Sequence, residues 1–197
     1  MKRHAPATAR NRESIGNVLE RALPATGEVI EIASGSGEHV VYLAGRFPGL
    51  DWQPTDVEPG LLASVRAHVD EAGLANVREP IILDAAAEGW PVTRADAIVC
   101  VNMIHIAPWA ACRGLLIGAG RSLPSGGLLY LYGPFRIATR PTAPSNEAFD
   151  ASLRARDPAW GLRELGDVEL EAAGHGLVLE EVIDMPANNI SVLFRRR

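Results

Sequence analysis

The run "VIEIASGSGEHV", residues 29–40, holds the first residues whose types and spacing suit chemistry. An apolar stretch carrying Glu31 breaks into Ser34-Gly35-Ser36-Gly37, and a helix-compatible segment follows. Glycines lack Cβ atoms, so they permit a tight turn and let a ligand approach backbone N–H groups at a helix N-terminus. A G-x-G pair alone also serves turns that only pack a helix on a sheet. Three further features extend the pattern: Asp56, nineteen positions after Gly37, then Asp84 followed by Ala85, then Asn102. A carboxylate at the first of these can accept from two adjacent ribose hydroxyls. Asp84, beside a small residue, can accept from an adenine amino group. The dinucleotide fingerprint requires a third glycine three positions after Gly37, and Val40 stands there. That argues against NAD and leaves another adenosine-containing ligand.

Candidates for proton transfer and contact with a second reactant come later in the chain. His105 lies three residues past Asn102, in "NMIHIAPW". It either takes a proton as a general base or bonds to backbone and shapes its loop; the residues leave both open. Tyr132 and Arg136, around "YGPF", can reach a bound acceptor or simply pack and be solvated. Asn146, Asp150 and Arg154 recur every four residues, on one helix face that suits a pocket or solvent equally. Near the start, Arg10, Asn11 and Arg12 open an amphipathic helix expected over 9–23. Arginine's forked donors suit a ligand carboxylate or an anionic acceptor, and equally a salt-bridged helix start.

Positioning these residues requires alternating strands and helices. Strands are expected at 27–33, 50–56, 80–84, 95–101 and 127–133. Between them fall helices at 38–46, 59–71, opened by a proline in its first turn, and 108–123, closed by "PSGG". Strands separated by helix-length segments indicate βαβ units and a parallel sheet covered on both faces. Beyond residue 133 the pattern changes. A Pro- and Arg-rich stretch includes a helix over 146–156, then a helix over 167–173 and two strands, 177–186 and 190–197, joined by "ANN" as a hairpin. A doubly wound α/β fold of one domain, 1–197, is expected, with 1–23 as a lid and 134–165 as a partial cap over the site.

Composition narrows the function classes. The formal net charge of −5 opposes general nucleic-acid binding, which needs a basic face. No apolar run approaches the roughly 20 residues that span a bilayer, and "MKRHAPATARNRES" lacks a secretory apolar core, so a cytoplasmic protein is expected. Cys100 and Cys112 read as reduced, mostly buried thiols, and the five histidines show no ligand spacing, so no metal site is expected. The oligomeric state is open, a homodimer included.

Taken together, "EIASGSG", Asp56, "LDA" (83–85) and "ADAIVCVNMIH" (95–105) resemble the class I S-adenosylmethionine-dependent methyltransferases over about the whole chain. More narrowly, "ARNRESI", "WQPTD", "NMIHIAPW" and "YGPF" are similar to a small methyltransferase-like family of unknown function, the methyltransferase-like 26 type. The resemblance implies a Rossmann-like seven-stranded sheet of order 3-2-1-4-5-7-6 with an antiparallel seventh strand. It implies that Ser34, Gly35 and Gly37 line the methionine end of the cofactor, with Glu31 ordering the turn. Asp56 would hold the ribose, Asp84 and Ala85 flank the adenine, and Asn102 sit near the sulfonium. Arg12 would close over the cofactor's carboxylate. Ala33 and Ser34 depart from the "GC" or "GT" often found there.

Methyl transfer needs an oriented acceptor and, for a weakly acidic one, removal of a proton. His105 is the candidate base and Tyr132 the candidate acceptor contact. The expected activity is metal-independent transfer to O, N or S of a small molecule. The position after the fourth strand reads "NMIH", not the "NPPY"-type tetrad of nucleobase amino-methylating enzymes. The alternatives are a non-catalytic cofactor-binding module that regulates a partner protein and a nucleotide-dependent oxidoreductase.

Overall fold

A computed structural model describes residues 2–197. Helix α1, Pro6–Ala22, begins with a proline in its first turn, where the missing N–H is no loss, and buries Ile15, Val18, Leu19 and Ala22 along one stripe. Strand β1, Gly27–Ile32, is buried along its second half because both faces of the sheet are covered at this central position. After it come α2 (Glu38–Arg46), β2 (Leu50–Asp56) and α3 (Pro59–Ala72). Gly73, at φ 63°, ends α3 in the left-handed conformation that glycine adopts without strain.

Strand β3 is only Ile81–Ile82, shorter than the expected 80–84. Pro80 has no N–H to give the ladder, and the Asp84 carboxylate accepts from Ala86 N–H (2.8 Å), turning the chain away. Strand β4, Ala97–Val101, leads through a 3₁₀ turn, Met103–His105, into α4, Trp109–Ser122. Then follow β5 (Leu128–Gly133), α5 (Pro144–Arg156), α6 (Leu165–Gly174), β6 (Leu177–Met185) and β7 (Asn189–Arg196).

The sheet order is β3-β2-β1-β4-β5-β7-β6, with β7 antiparallel to both its neighbours, as the resemblance implied. The β6–β7 connection is a tight turn in which Ala187 and Asn188 both adopt φ 58°. Paired left-handed residues match the twist of a two-stranded hairpin. One apolar cluster, including Ile30, Ile98, Leu115, Leu131 and Phe194, lies under α4 and α6. The other, including Ile15, Val29, Leu43, Trp52 and Tyr130, lies under α1, α2 and α3. Because β1, β2, β4 and β5 are parallel, Ile32, Asp56, Val101 and Gly133 end at one edge of the sheet. Glu31, Asp56 and Asn102 fall at or just past that edge.

Candidate functional site

The turn after β1 is built by three residues bonding across to β2. Ser34 N–H donates to the Thr55 carbonyl (2.7 Å), and Thr55 N–H donates to Ser34 Oγ (3.2 Å). Thr55 Oγ1 donates to the Glu31 carbonyl (2.9 Å). Asp56 then spans the gap: one carboxylate oxygen accepts from Gly35 N–H (2.9 Å), the other from Glu58 N–H (3.1 Å). It is nearly buried, at 4% exposure, and fixes the relative positions of the two strand ends.

The two glycines serve different ends. A side chain at Gly35, φ 58°, would project into open space, its nearest neighbour 4.0 Å away. A side chain at Gly37, φ 92°, would stand 2.7 Å from the Val65 Cα, so this glycine lets α3 pack against the start of α2. Ala33 shares the left-handed conformation, at φ 57°, without being glycine.

Glu31 points into this turn and is buried, with Oε2 lacking any hydrogen-bond partner among the described residues. Burial raises its pKa to about 8; Ser34 works in the opposite direction and the nearby Asp56 charge adds to the rise. An orphaned carboxyl oxygen in a dry site costs about 1–3 kcal/mol, and a ligand ammonium group would relieve it. Asp84 is exposed and Ala85 buried at the end of the third strand, beside exposed Ile82. These groups fit an adenosyl ligand bearing an amino acid: an open glycine turn, an orphaned acid, and an acceptor beside apolar surface.

A second set of polar groups lies past β4. Asn102, half-buried at φ 64°, donates its N–H to the Tyr132 carbonyl (2.8 Å) and accepts from His105 N–H (3.1 Å). The His105 ring is fully buried, with neither nitrogen partnered among the described residues. It meets Phe135 edge to face (4.7 Å between centroids) and lies so close to Gly133 that a side chain there would stand 2.5 Å from Nε2. Burial lowers its pKa to about 3, helped by the Arg163 charge, so the ring is neutral. Segment 161–163 fastens its loop. Gly161 N–H donates to the His105 carbonyl (3.0 Å), and Arg163 Nε donates to the Ile104 carbonyl (2.8 Å).

Under α1, Asn11 is buried and its Oδ1 meets His39 Nε2 (2.8 Å), while Arg12 is exposed and stacks over the Tyr42 ring (5.1 Å). Burial lowers the His39 pKa to about 4. Tyr132 is 3% exposed; burial raises its phenol pKa, and the Asn11 side chain opposes the rise. Residues 2–5 cross the glycine turn: Ala5 N–H donates to Glu38 (2.6 Å), and Arg3 N–H to Ser64 Oγ (2.7 Å), which itself donates to the Ser36 carbonyl (2.8 Å).

The structure thus gathers Glu31, Ser34, Gly35, Gly37 and Asp56 at one turn, and Asn102, His105 and Tyr132 at the next strand ends. Arg136 departs from the expected acceptor contact, being bound to Glu147 through both terminal nitrogens (2.7 and 2.6 Å). Asn146 and Asp150 face inward, Asp150 accepting from Leu162 N–H (2.7 Å) and Arg154 Nε (2.9 Å). Sequence reasoning missed Thr55, Ser64 and His39. Thr55 and Ser64 sit in a strand and a helix with no pattern to mark them. His39 carried a signal: a histidine in the first turn after the glycines.

The family model described as "Protein of unknown function (DUF938)" matches residues 2–196. The chain belongs to this family. Among solved structures it is similar to an O-methyltransferase family 2 protein from Planctomyces limnophilus in complex with apigenin. That match has a TM-score of 0.79 and 19% identity and covers 97% of this chain and 60% of that one. A putative sarcosine dimethylglycine methyltransferase from Galdieria sulphuraria gives 0.78 at 14%, over 96% of this chain and 86% of that one. Human N-acetylserotonin methyltransferase in complex with SAM gives 0.77 at 13%, over 96% and 52%. The chain thus spans between half and two thirds of the first and third of these. Identities so low establish the fold: a Rossmann-like methyltransferase sheet.

Proposed function

We propose that this protein binds S-adenosylmethionine and transfers its methyl group to O, N or S of a small molecule, without a metal. The observation that carries the reading is the buried, unpartnered Glu31 Oε2 beneath the open Gly35 turn. An acid held there without a partner suits the ammonium of the cofactor's methionine portion. Asp56 retains free lone pairs for ribose hydroxyls while holding Gly35. Asp84 and Ala85 flank the adenine, and Asn102, at the end of β4, lies beside the sulfonium. Arg12 reaches the cofactor's carboxylate only by leaving Tyr42, and Asn11 is the inward residue of that helix turn. The fold shared with methyltransferase structures supports the reading, and "NMIHIAPW" and "YGPF" resemble the methyltransferase-like 26 type.

When bound, the cofactor supplies an activated methyl group on sulfur. This chain's part is to orient the acceptor and exclude water, with residues 1–23 as a lid and 134–165 as a cap on one domain. His105 is neutral and so has room for a proton, but with a pKa of about 3 and no accessible surface it accepts one only if the cap moves. In the closed arrangement its role is to shape the loop, while Tyr132 lies under α1 beside Asn11.

Calorimetric titration with S-adenosylmethionine, S-adenosylhomocysteine and NAD tests the cofactor assignment. Binding of the two adenosyl ligands, weakened in Glu31→Gln and Asp56→Asn, is the expected result. Binding of NAD alone by folded protein would sink it.

A further inference from the structure

A cleft of about 320 Å³ opens at the same edge of the sheet, between the loop after β5, the start of α5 and the β6–β7 turn. Its apolar side is Phe135, Ile137, Met185 and Ile190. Ile190 pairs with Gly133 across the β5–β7 ladder, so the cleft stands above these two strands. Neighbouring strands are roughly 4.8 Å apart, which puts the cleft about 5–10 Å along the edge from the end of β4 and Asn102. Phe135 joins the two places directly, since its ring contacts the buried His105 ring (4.7 Å).

The polar lining includes the side-chain amides of Asn146 and Asn189. Asn146, 7% exposed, donates Nδ2 to the Asn188 carbonyl (2.8 Å). Asn189 donates Nδ2 to the Pro186 carbonyl (3.1 Å). A carbonyl can only accept, so each amide is fixed with its nitrogen on that carbonyl, and each Oδ1 is left as an acceptor. The charged pair at the rim, Arg140 and Asp184, is mutually satisfied (2.7 Å).

We propose that this cleft is the acceptor site, and that it takes a neutral compound of one or two rings bearing a hydroxyl or N–H donor. The assignment rests on the methyl-transfer reading above. Its size is at the lower end of ligand pockets, roughly 300–1,000 Å³. Amide oxygens reward a donor and repel an anion, and the apolar wall takes the ring body.

The test uses three naphthalenes as probes, read by saturation-transfer NMR and calorimetry on full-length protein with S-adenosylhomocysteine present. 2-Naphthol is expected to bind. 2-Methoxynaphthalene, with no donor, and 6-hydroxy-2-naphthoate, an anion, are expected to bind about five- to tenfold more weakly. Asn189→Ala should weaken 2-naphthol about fivefold. Ile137→Trp, which fills the cleft, should abolish its binding while S-adenosylhomocysteine affinity is unchanged and the protein still melts cooperatively. Bound S-adenosylhomocysteine with no preference among the probes, or 2-naphthol binding that survives Ile137→Trp, overturns the cleft assignment alone. Wild-type protein that fails to bind S-adenosylhomocysteine overturns the methyl-transfer reading, and the acceptor role with it.

Discussion

Glu31 and His105 occupy comparable places, each at or just past the end of a central strand and each buried with unpartnered polar atoms. Desolvation disfavours the charged form of both, so it raises the acid to about 8 and lowers the imidazole to about 3. Their surroundings differ. Glu31 sits beneath a turn whose glycine faces open space, and on the proposed function a ligand ammonium completes it from that side. His105 is enclosed by Phe135, Gly133 and the 161–163 segment, so only movement of the protein can reach it. On the proposed function, the same physical effect marks a binding group in one region and a buried element of the wall in the other.

The largest expected effect lies at the residue that holds the first region together. Asp56→Ala removes the acceptor of two backbone N–H groups as well as the proposed ribose contact. S-adenosylhomocysteine affinity should fall about a hundredfold, since hydrogen bonds to a charged group contribute about 1.5–3 kcal/mol each. Asp56→Asn, keeping one acceptor, should lie between. Calorimetry with a parallel melt separates lost binding from lost folding; unchanged affinity in folded Asp56→Ala would remove this turn from the site.

Glu31→Gln should weaken the same ligand about ten- to thirtyfold at pH 8. In the wild type the free acid has a pKa of about 8 and a bound ammonium favours its ionised form. Affinity should thus rise with pH up to about 8, then level off, and the glutamine variant should lack that rise. Stability without ligand runs the other way. The folded pKa lies above the unfolded value, so this group's contribution is present below about 4.5 and is lost as pH rises toward 8. The unliganded glutamine variant should therefore gain on the wild type between pH 5 and pH 8 in urea melts.

His105 gives the opposite sign and a smaller effect. Its folded pKa, about 3, lies below the unfolded value of 6.5, so stability is full above pH 6.5 and falls as pH drops toward 3. His39, at about 4, behaves alike. Together they should make the wild type lose about 2–3 kcal/mol per pH unit near pH 5, and His105→Leu should roughly halve that slope. An unaltered slope would show that the ring is not buried in solution.

What the sequence disclosed follows the same division. The strand ends were legible because parallel strands buried on both faces carry apolar runs and must stop at glycine or a polar residue, as at Asp56 and Asn102. The glycine turn was legible too, but not the division of labour within it. Two glycines of similar appearance could not be told apart, because only the arrival of Val65 from α3 assigns Gly37 to packing. Past Gly133 the signal failed. The spacing of Asn146, Asp150 and Arg154 suited a pocket or solvent, and which it met depended on Leu162 and Asn188, distant in sequence. Asn146 and Asp150 turned inward while Arg154 stayed exposed, and the Asn146 amide became part of a cleft no motif announces.

The smallest effect tests the turn's own strain. Ala33 stands at φ 57°, a conformation that costs a side-chain-bearing residue about 1–2 kcal/mol. Glycine removes that penalty but loses roughly 0.5–1 kcal/mol through the greater freedom of the unfolded chain. Ala33→Gly should therefore stabilise by about 0.5 kcal/mol, a shift of one or two degrees in melting temperature. Its effect on S-adenosylhomocysteine should be less than twofold, because the bonds that shape the turn run through Ser34, Thr55 and Asp56. A loss of several-fold in affinity would mean that the alanine methyl, packed on the cluster beneath α4, also fixes where Glu31 presents its free oxygen. The strained residue would then be part of the binding region and not only its hinge.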